Sequence, residues 1–207
     1  MIILNFFFFC KKPIQTITLH PFQIIQILFH LCDPKQYDKL ASSILSCSIY
    51  TGQEMTLLNY FVEKEIQETS QTAVLFRSNS VALRLISSYT KLISPHYLKG
   101  ILEKLFLKVF EDAKKYEVIV EKLSDPRKLE ENRKNLFSIS NLFLDVILAS
   151  SNSVPTGLKK ISCFVYRLVE NKFQNFGVIA LGGIFFLRLV CPSIVSPQNY
   201  NVLTGYF

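Results

Sequence analysis

Residues 71–93, QTAVLFRSNSVALRLISSYTKLI, decide the fold class. Val81, Ala82, Leu85, Ile86, Tyr89 and Leu92–Ile93 recur at intervals of three and four, the spacing that lines up one face of an α-helix. Ser78, Asn79 and Ser80 stand just ahead of that stripe and are N-cap residue types, since their side-chain oxygens accept the unpaired N–H groups of a first helical turn. Arg77 therefore sits immediately before a helix N-terminus, where backbone N–H groups already favour an anion. Residues 71–100 carry Arg77, Arg84, Lys91 and Lys99 and neither Asp nor Glu. An arginine in such a place is either a solvated surface charge or an anion-seeking group, and this stretch alone does not choose between them.

Outward from this helix the same period continues. On the N-terminal side, Phe22–Leu31 is apolar and helical in pattern. Residues 36–50 place Tyr37, Leu40, Ile44, Leu45 and Ile49 on one side, and Glu54–Glu68 carries the stripe Met55, Leu58, Phe61–Val62 and Ile66. On the C-terminal side, Leu98–Tyr116 lines up Leu98, Ile101–Leu102, Leu105–Phe106, Val109–Phe110 and Ala113. Asp125–Pro126 interrupts the pattern. Residues 131–149 then turn Leu136, Ile139, Phe143 and Val146–Ile147 inward, and after the polar break SSNSVPTG (150–157) Leu158–Lys172 repeats the motif. With sparse glycine and long periodic segments, the chain is predicted to be all-α, one helical domain over residues 22–207. Residues 1–20 stand apart: an apolar burst with no basic region before it and no small-residue cleavage site, which reads as a divergent or mispredicted start and is left out of the domain.

Composition narrows the function. The formal net charge of +7 on 207 residues favours an acidic partner. The charge is dispersed, however: between residues 98 and 134 ten basic residues alternate with eight acidic ones, as on solvated helix faces. Nucleic-acid spacings are absent, as is the phosphate-loop pattern G-x-x-x-x-G-K-[ST]. Cys10, Cys32, Cys47, Cys163 and Cys191 are odd in number and contain no C-x-x-C pair, the pattern of free, mostly buried thiols in a reducing compartment. His20, His30 and His96 are isolated, so no metal site is expected.

The last long segment, FQNFGVIALGGIFFLRLVCPSIVSPQNY (173–200), reads as a buried core helix, because its uncharged run stops at Leu187, short of a membrane span. Gly182–Gly183 would allow close helix approach there, and Pro192 would end the helix. Arg188 is out of place in so apolar a run, since a buried guanidinium is costly unless paired. It either reaches from a helix end to water or clamps a neighbouring loop with its several donors.

LFRSNS (75–80), ENRKNLF (131–137) and FLRLVCPSIVSP (186–197) together, in this order, resemble the Ras GTPase-activating protein family, in a neurofibromin-like form. The resemblance runs from about Phe22 to Leu203. It implies an all-helical domain whose shallow groove takes the switch regions of a GTP-bound Ras-type small GTPase. Arg77 would then be the arginine finger, reaching into the partner's nucleotide site, and Arg188 would steady the finger loop through its backbone. Leu75, Phe76, Ser78, Asn79, Leu187 and Pro192 would shape the loop and meet the partner. Asn132, Arg133 and Asn135 would belong to groove structure. The chain would be a regulator and not itself an enzyme. It would bring no cofactor and no metal of its own, because GTP and Mg²⁺ belong to the GTPase. It would act in the cytoplasm, at the cytoplasmic face of membranes, touching the bilayer only peripherally through its partner. In the family a further loop and helix follow the last motif; the end at Phe207 suggests that the C-terminal part of the domain is missing. Two functions stay open on these grounds: an activator acting in trans, and a GTPase-binding or scaffold fragment that does not accelerate hydrolysis.

Overall fold

The computed structural model describes residues 21–77, 80–123 and 125–203, and every regular element among them is helical, as the periodicity predicts. The N-terminal segment 1–20, Ser78 and Asn79 lie outside the described residues. In chain order the helices are α1 (Pro21–Leu31), α2 (Tyr37–Tyr50), α3 (Glu54–Glu68), α4 (Val81–Ile93), α5 (Pro95–Glu111), α6 (Leu129–Ala149), α7 (Thr156–Lys172), α8 (Gly177–Phe185) and α9 (Cys191–Val195). The described residues form two compact units, one within residues 21–92 with 157–189 and one within residues 93–156 with 190–203.

The first unit buries the stripes of α1 to α4, α7 and α8. Leu57, Leu58, Phe61, Val62 and Ile66 of α3 are buried, as are Ala82, Leu83, Leu85, Ile86 and Tyr89 of α4. On α7 the inward side chains are Leu158, Ile161, Val165 and Val169. The face of α2 is rotated from the predicted one: Ala41, Ile44, Leu45 and Ser48 are buried, while Ile49 is exposed. Ser48 can be buried because its hydroxyl donates back to the Ile44 carbonyl at 2.9 Å, leaving no unmet polar group. The C-terminus of α3 is closed by Lys172, whose Nζ donates to the carbonyls of Ile66 (2.8 Å) and Gln67 (2.7 Å). Such carbonyls lack helical partners and sit at the negative end of the helix dipole.

The segment after α7 departs from its sequence reading in three ways. First, α8 is not a buried core helix. Ala180 and Ile184 face inward, but Val178 is 71% exposed and Ile179 58% exposed. By length and composition the 19-residue stretch Gly177–Val195 would suffice to cross a bilayer, contrary to the short run counted from the sequence. Second, among the described residues a side chain added at Gly182 or Gly183 would meet nothing within 4 Å, so this pair makes no close helix approach there. Third, Pro192 does not end the helix. A wide π turn, Phe186–Val190, precedes it, and Pro192 falls in the first turn of α9, where no N–H is required of it.

The close approach is at Gly177 instead. A Cβ there would lie 2.8 Å from both Tyr166 Cδ2 and Glu170 Oε2. The Glu170 carboxylate takes the Gly177 N–H at 3.0 Å and that of Asn175, itself left-handed at φ 63°, at 2.8 Å, and so caps the start of α8. Gly177→Ala is therefore expected to lower stability by about 1–3 kcal/mol, the usual cost of forcing a methyl into filled space. Chemical denaturation reads this directly, and an unshifted midpoint would contradict it.

In the second unit Pro95 opens α5 at a position that lacks an intrahelical N–H partner anyway. Leu98, Leu102, Leu105 and Phe106 are buried, and the Phe106 ring meets Phe143 of α6 edge-on at 5.5 Å. The predicted inward face of α6 is only thinly covered: Ile139 is buried, Phe143, Val146 and Ile147 are half-buried, and Leu136 is exposed. Asn132, 3% exposed, is the other anchor of α6. Its Nδ2 donates to the carbonyls of Lys114 (3.0 Å) and Glu117 (2.8 Å). That ties the turn Ala113–Tyr116 to α6; Asn135 adds a longer bond to the Lys115 carbonyl, 3.4 Å. These asparagines hold backbone, while Arg133 is exposed beside Glu130, 3.8 Å away. Cys163 and Cys191 are exposed and Cys32 and Cys47 half-buried, so the thiols are less buried than expected; Cys10 lies outside the described residues.

Candidate functional site

The site is built where α3 ends and α4 begins, within the first unit. Thr69 closes α3, its N–H and hydroxyl both donating to the Glu65 carbonyl at 3.0 and 2.7 Å. The chain then turns tightly: the N–H groups of Val74, Leu75 and Arg77 donate to the carbonyls of Gln71, Thr72 and Val74. Of the predicted N-cap residues, Ser80 takes the role. Its Oγ accepts the Leu83 N–H at 3.2 Å.

Between these ends lies Phe76, in the left-handed region at φ 54° although it carries a bulky side chain. That conformation costs about 1–3 kcal/mol and persists only when its surroundings hold it. They hold it from both sides. The Phe76 N–H donates to Glu65 Oε1 at 3.3 Å, and the Phe76 carbonyl accepts from Arg188 Nη2 at 2.8 Å. Glu65 Oε2 also takes the Ser80 hydroxyl, so one carboxylate grips the chain on either side of Arg77. Phe76 itself is 5% exposed and Leu75 4%, and both serve as the buried footing of the loop.

Arg77 is exposed, and its side chain has no hydrogen bond or ion pair among the described residues. The backbone just before it is held on both sides, at the N–H and the carbonyl of Phe76. Beside it is a pocket of ≈ 400 Å³ whose walls are Leu75, Phe76 and Arg77 on one side and Phe176, Ile179, Ala180, Gly183, Leu187 and Arg188 on the other. Leu187 projects from it, 69% exposed. Pro192 belongs to the second unit. Two other cations of the acid-free stretch are met by acids from outside it: Arg84 lies 2.6 Å from Asp38 and over the Tyr37 ring, and Lys99 lies 3.5 Å from Glu103.

Arg188 is half-buried, and its guanidinium donates to a backbone carbonyl of the loop instead of reaching to water from a helix end. Glu65 is the residue that sequence reasoning misses. Burial raises its pKa; the bonds from Ser80 and Phe76 and the Arg188 charge lower it, and Glu68 raises it further. A carboxyl raised in the folded chain takes up its proton before the unfolded chain does. Folding is therefore favoured by this group as pH falls toward its unfolded value, and the ionised form is held at a cost above the raised one. A signal for it exists in the sequence: Glu65 falls on the apolar stripe, one turn on from Phe61–Val62, where a charge needs a reason.

Residues 119–206, which include α6 and the Arg188 turn, match the family profile described as GTPase-activator protein for Ras-like GTPase. The chain is 26% identical over 175 residues to a probable Ras GTPase-activating-like protein, ngap, of Dictyostelium discoideum, covering 83% of this chain and 20% of that protein. It is 26% identical over 184 residues to Ras GTPase-activating protein 1 of Rattus norvegicus, covering 87% of this chain and 18% of the relative. Inhibitory regulator protein IRA2 of Saccharomyces cerevisiae is 26% identical over 174 residues, 84% of this chain and 6% of its own length. An alignment that covers 83% of 207 residues necessarily spans position 77. The chain thus spans a fifth or less of the length of these curated relatives. The Phe-Leu-Arg turn, the held loop before α4 and the asparagine anchor of α6 occur on one helical chain that is similar, over residues 119–206, to GTPase-activator proteins for Ras-like GTPases.

Proposed function

We propose that this chain accelerates GTP hydrolysis by a GTP-bound Ras-type small GTPase, delivering Arg77 in trans to the transferring phosphoryl group. The observation that carries the reading is the pairing of an exposed Arg77, whose side chain has no partner among the described residues, with a backbone held at Phe76 by Glu65 and Arg188. Phosphoryl transfer asks little covalent chemistry of a protein and much positioning and charge stabilisation. Arg77 supplies a planar, permanently charged fork for the oxygens on which negative charge grows, a task for which lysine is a poor substitute. Holding the loop beforehand means that little ordering is left for the moment of reaction. The attacking water, GTP, Mg²⁺ and the group that orients the water belong to the partner, so the chain acts as a regulator that lends one residue. The apolar rim of Leu187 and Ile179 beside Arg77 supplies a docking surface for the partner. On this reading the chain works in the cytoplasm and meets membranes only through the GTPase.

A complex trapped with GDP and aluminium fluoride, a planar mimic of the transferring phosphoryl group, tests the reading. A Ras-type GTPase loaded this way is expected to co-elute with the chain, and the complex is expected to be lost with Arg77→Ala. Equal binding of both proteins to the GTP-analogue form, with no complex on the planar mimic, would instead indicate a scaffold that binds without accelerating.

A further inference from the structure

We propose that Glu65 is the positioning residue of the finger loop, fixing where the Arg77 guanidinium stands by gripping the backbone on both sides of it; this rests on the reading of Arg77 as the group delivered to the GTPase. Arg188 holds Phe76 only by its carbonyl. Glu65 holds the other end of the same residue, its N–H, and also the Ser80 hydroxyl beyond Arg77. Ser80 passes the constraint to α4 by accepting the Leu83 N–H. One carboxylate thus joins the last turn of α3, the strained residue before Arg77 and the cap of the helix after it. A carboxylate suits the place because it can accept at both oxygens, whereas an amide or a protonated acid offers one accepting oxygen beside a donor. Without this grip Phe76 can leave the left-handed region, and the peptide joining it to Arg77 swings with it. Displacements of about 1 Å at such a distance from the chemistry cost up to about 10²-fold in rate.

The test uses Glu65→Ala and Glu65→Gln in the full 207-residue chain, with four readouts. These are the hydrolysis rate at saturating chain, the affinity for the GTPase loaded with a GTP analogue, the melting temperature, and tryptic cleavage after Arg77 in the free chain. Glu65→Ala is expected to lower the saturating rate about tenfold or more. Affinity should change less than about threefold, and Arg77 should be cut several-fold faster, as a loosened loop opens more often. Glu65→Gln keeps the shape and one accepting oxygen. It is expected to hold the wild-type melting temperature and recover part of the rate, and it carries the test if the alanine variant does not fold. Wild-type rate and cleavage in Glu65→Gln and Glu65→Ala would overturn the proposal, and so would a loss confined to affinity or one that merely follows the melting temperature. Failure of the functional reading is distinct: the wild-type chain would then leave hydrolysis unaccelerated, while cleavage at Arg77 would still report whether Glu65 sets the loop.

Discussion

Arg77→Ala is expected to remove the acceleration almost completely while leaving the chain folded and still able to bind. Arginine fingers contribute about 10³–10⁵ in rate to GTPases of the Ras type, a range that comes from such pairs and not from this chain. The loss should fall on the rate at saturation, because a group that engages the developing charge acts on the transition state more than on the ground-state complex. Stability should move by no more than about 0.5 kcal/mol, since an exposed side chain with no partner among the described residues leaves nothing unpaired when it is cut back. Arg77→Lys should recover little, because a single ammonium cannot present two parallel donors. Single-turnover rates across a titration of each variant separate these effects, and a variant that kept the saturating rate would remove Arg77 from the chemistry.

Arg188→Ala is expected to lower the saturating rate by about 10–100-fold, the factor that corresponds to a charge-assisted hydrogen bond of about 1.5–3 kcal/mol. Unlike the change at Arg77, it should also destabilise the chain. The Phe76 carbonyl loses its donor, the left-handed residue loses one of its two restraints, and Glu65 loses a cation that favours its ionised form. The expected cost is about 1–3 kcal/mol, the penalty for a buried polar group left unmatched. Thermal melting alongside kinetics would show both losses together, and a variant with wild-type melting and wild-type rate would contradict the clamp.

Helical period and capping chemistry are local, and so most of the helices and half of the site are legible in the sequence. The stripe of α4 and the choice of serine as its cap follow from side-chain spacing and the needs of unpaired N–H groups. Arg77 and Arg188 are marked by their motifs, and Arg188 also by its cost in an apolar run. What the period cannot show is which position on a stripe meets polar backbone instead of side chains. Glu65 escapes notice for that reason, since its partners Phe76 and Ser80 come from beyond the end of its own helix. The same blindness misplaces the glycines: Gly182 and Gly183 look like a packing pair, yet it is Gly177 that faces Tyr166 and Glu170. Pro192 reads wrongly as a helix end because the wide turn that precedes it depends on backbone hydrogen bonding, which leaves no periodic trace.

Single-turnover GTP hydrolysis by a panel of Ras-type GTPases, with and without a large excess of this chain, tests the central claim most directly. The predicted result is a saturable acceleration with at least one partner that disappears when Arg77→Ala replaces the wild-type chain. Unchanged hydrolysis by every GTPase that binds the chain, or acceleration that survives Arg77→Ala, would contradict it.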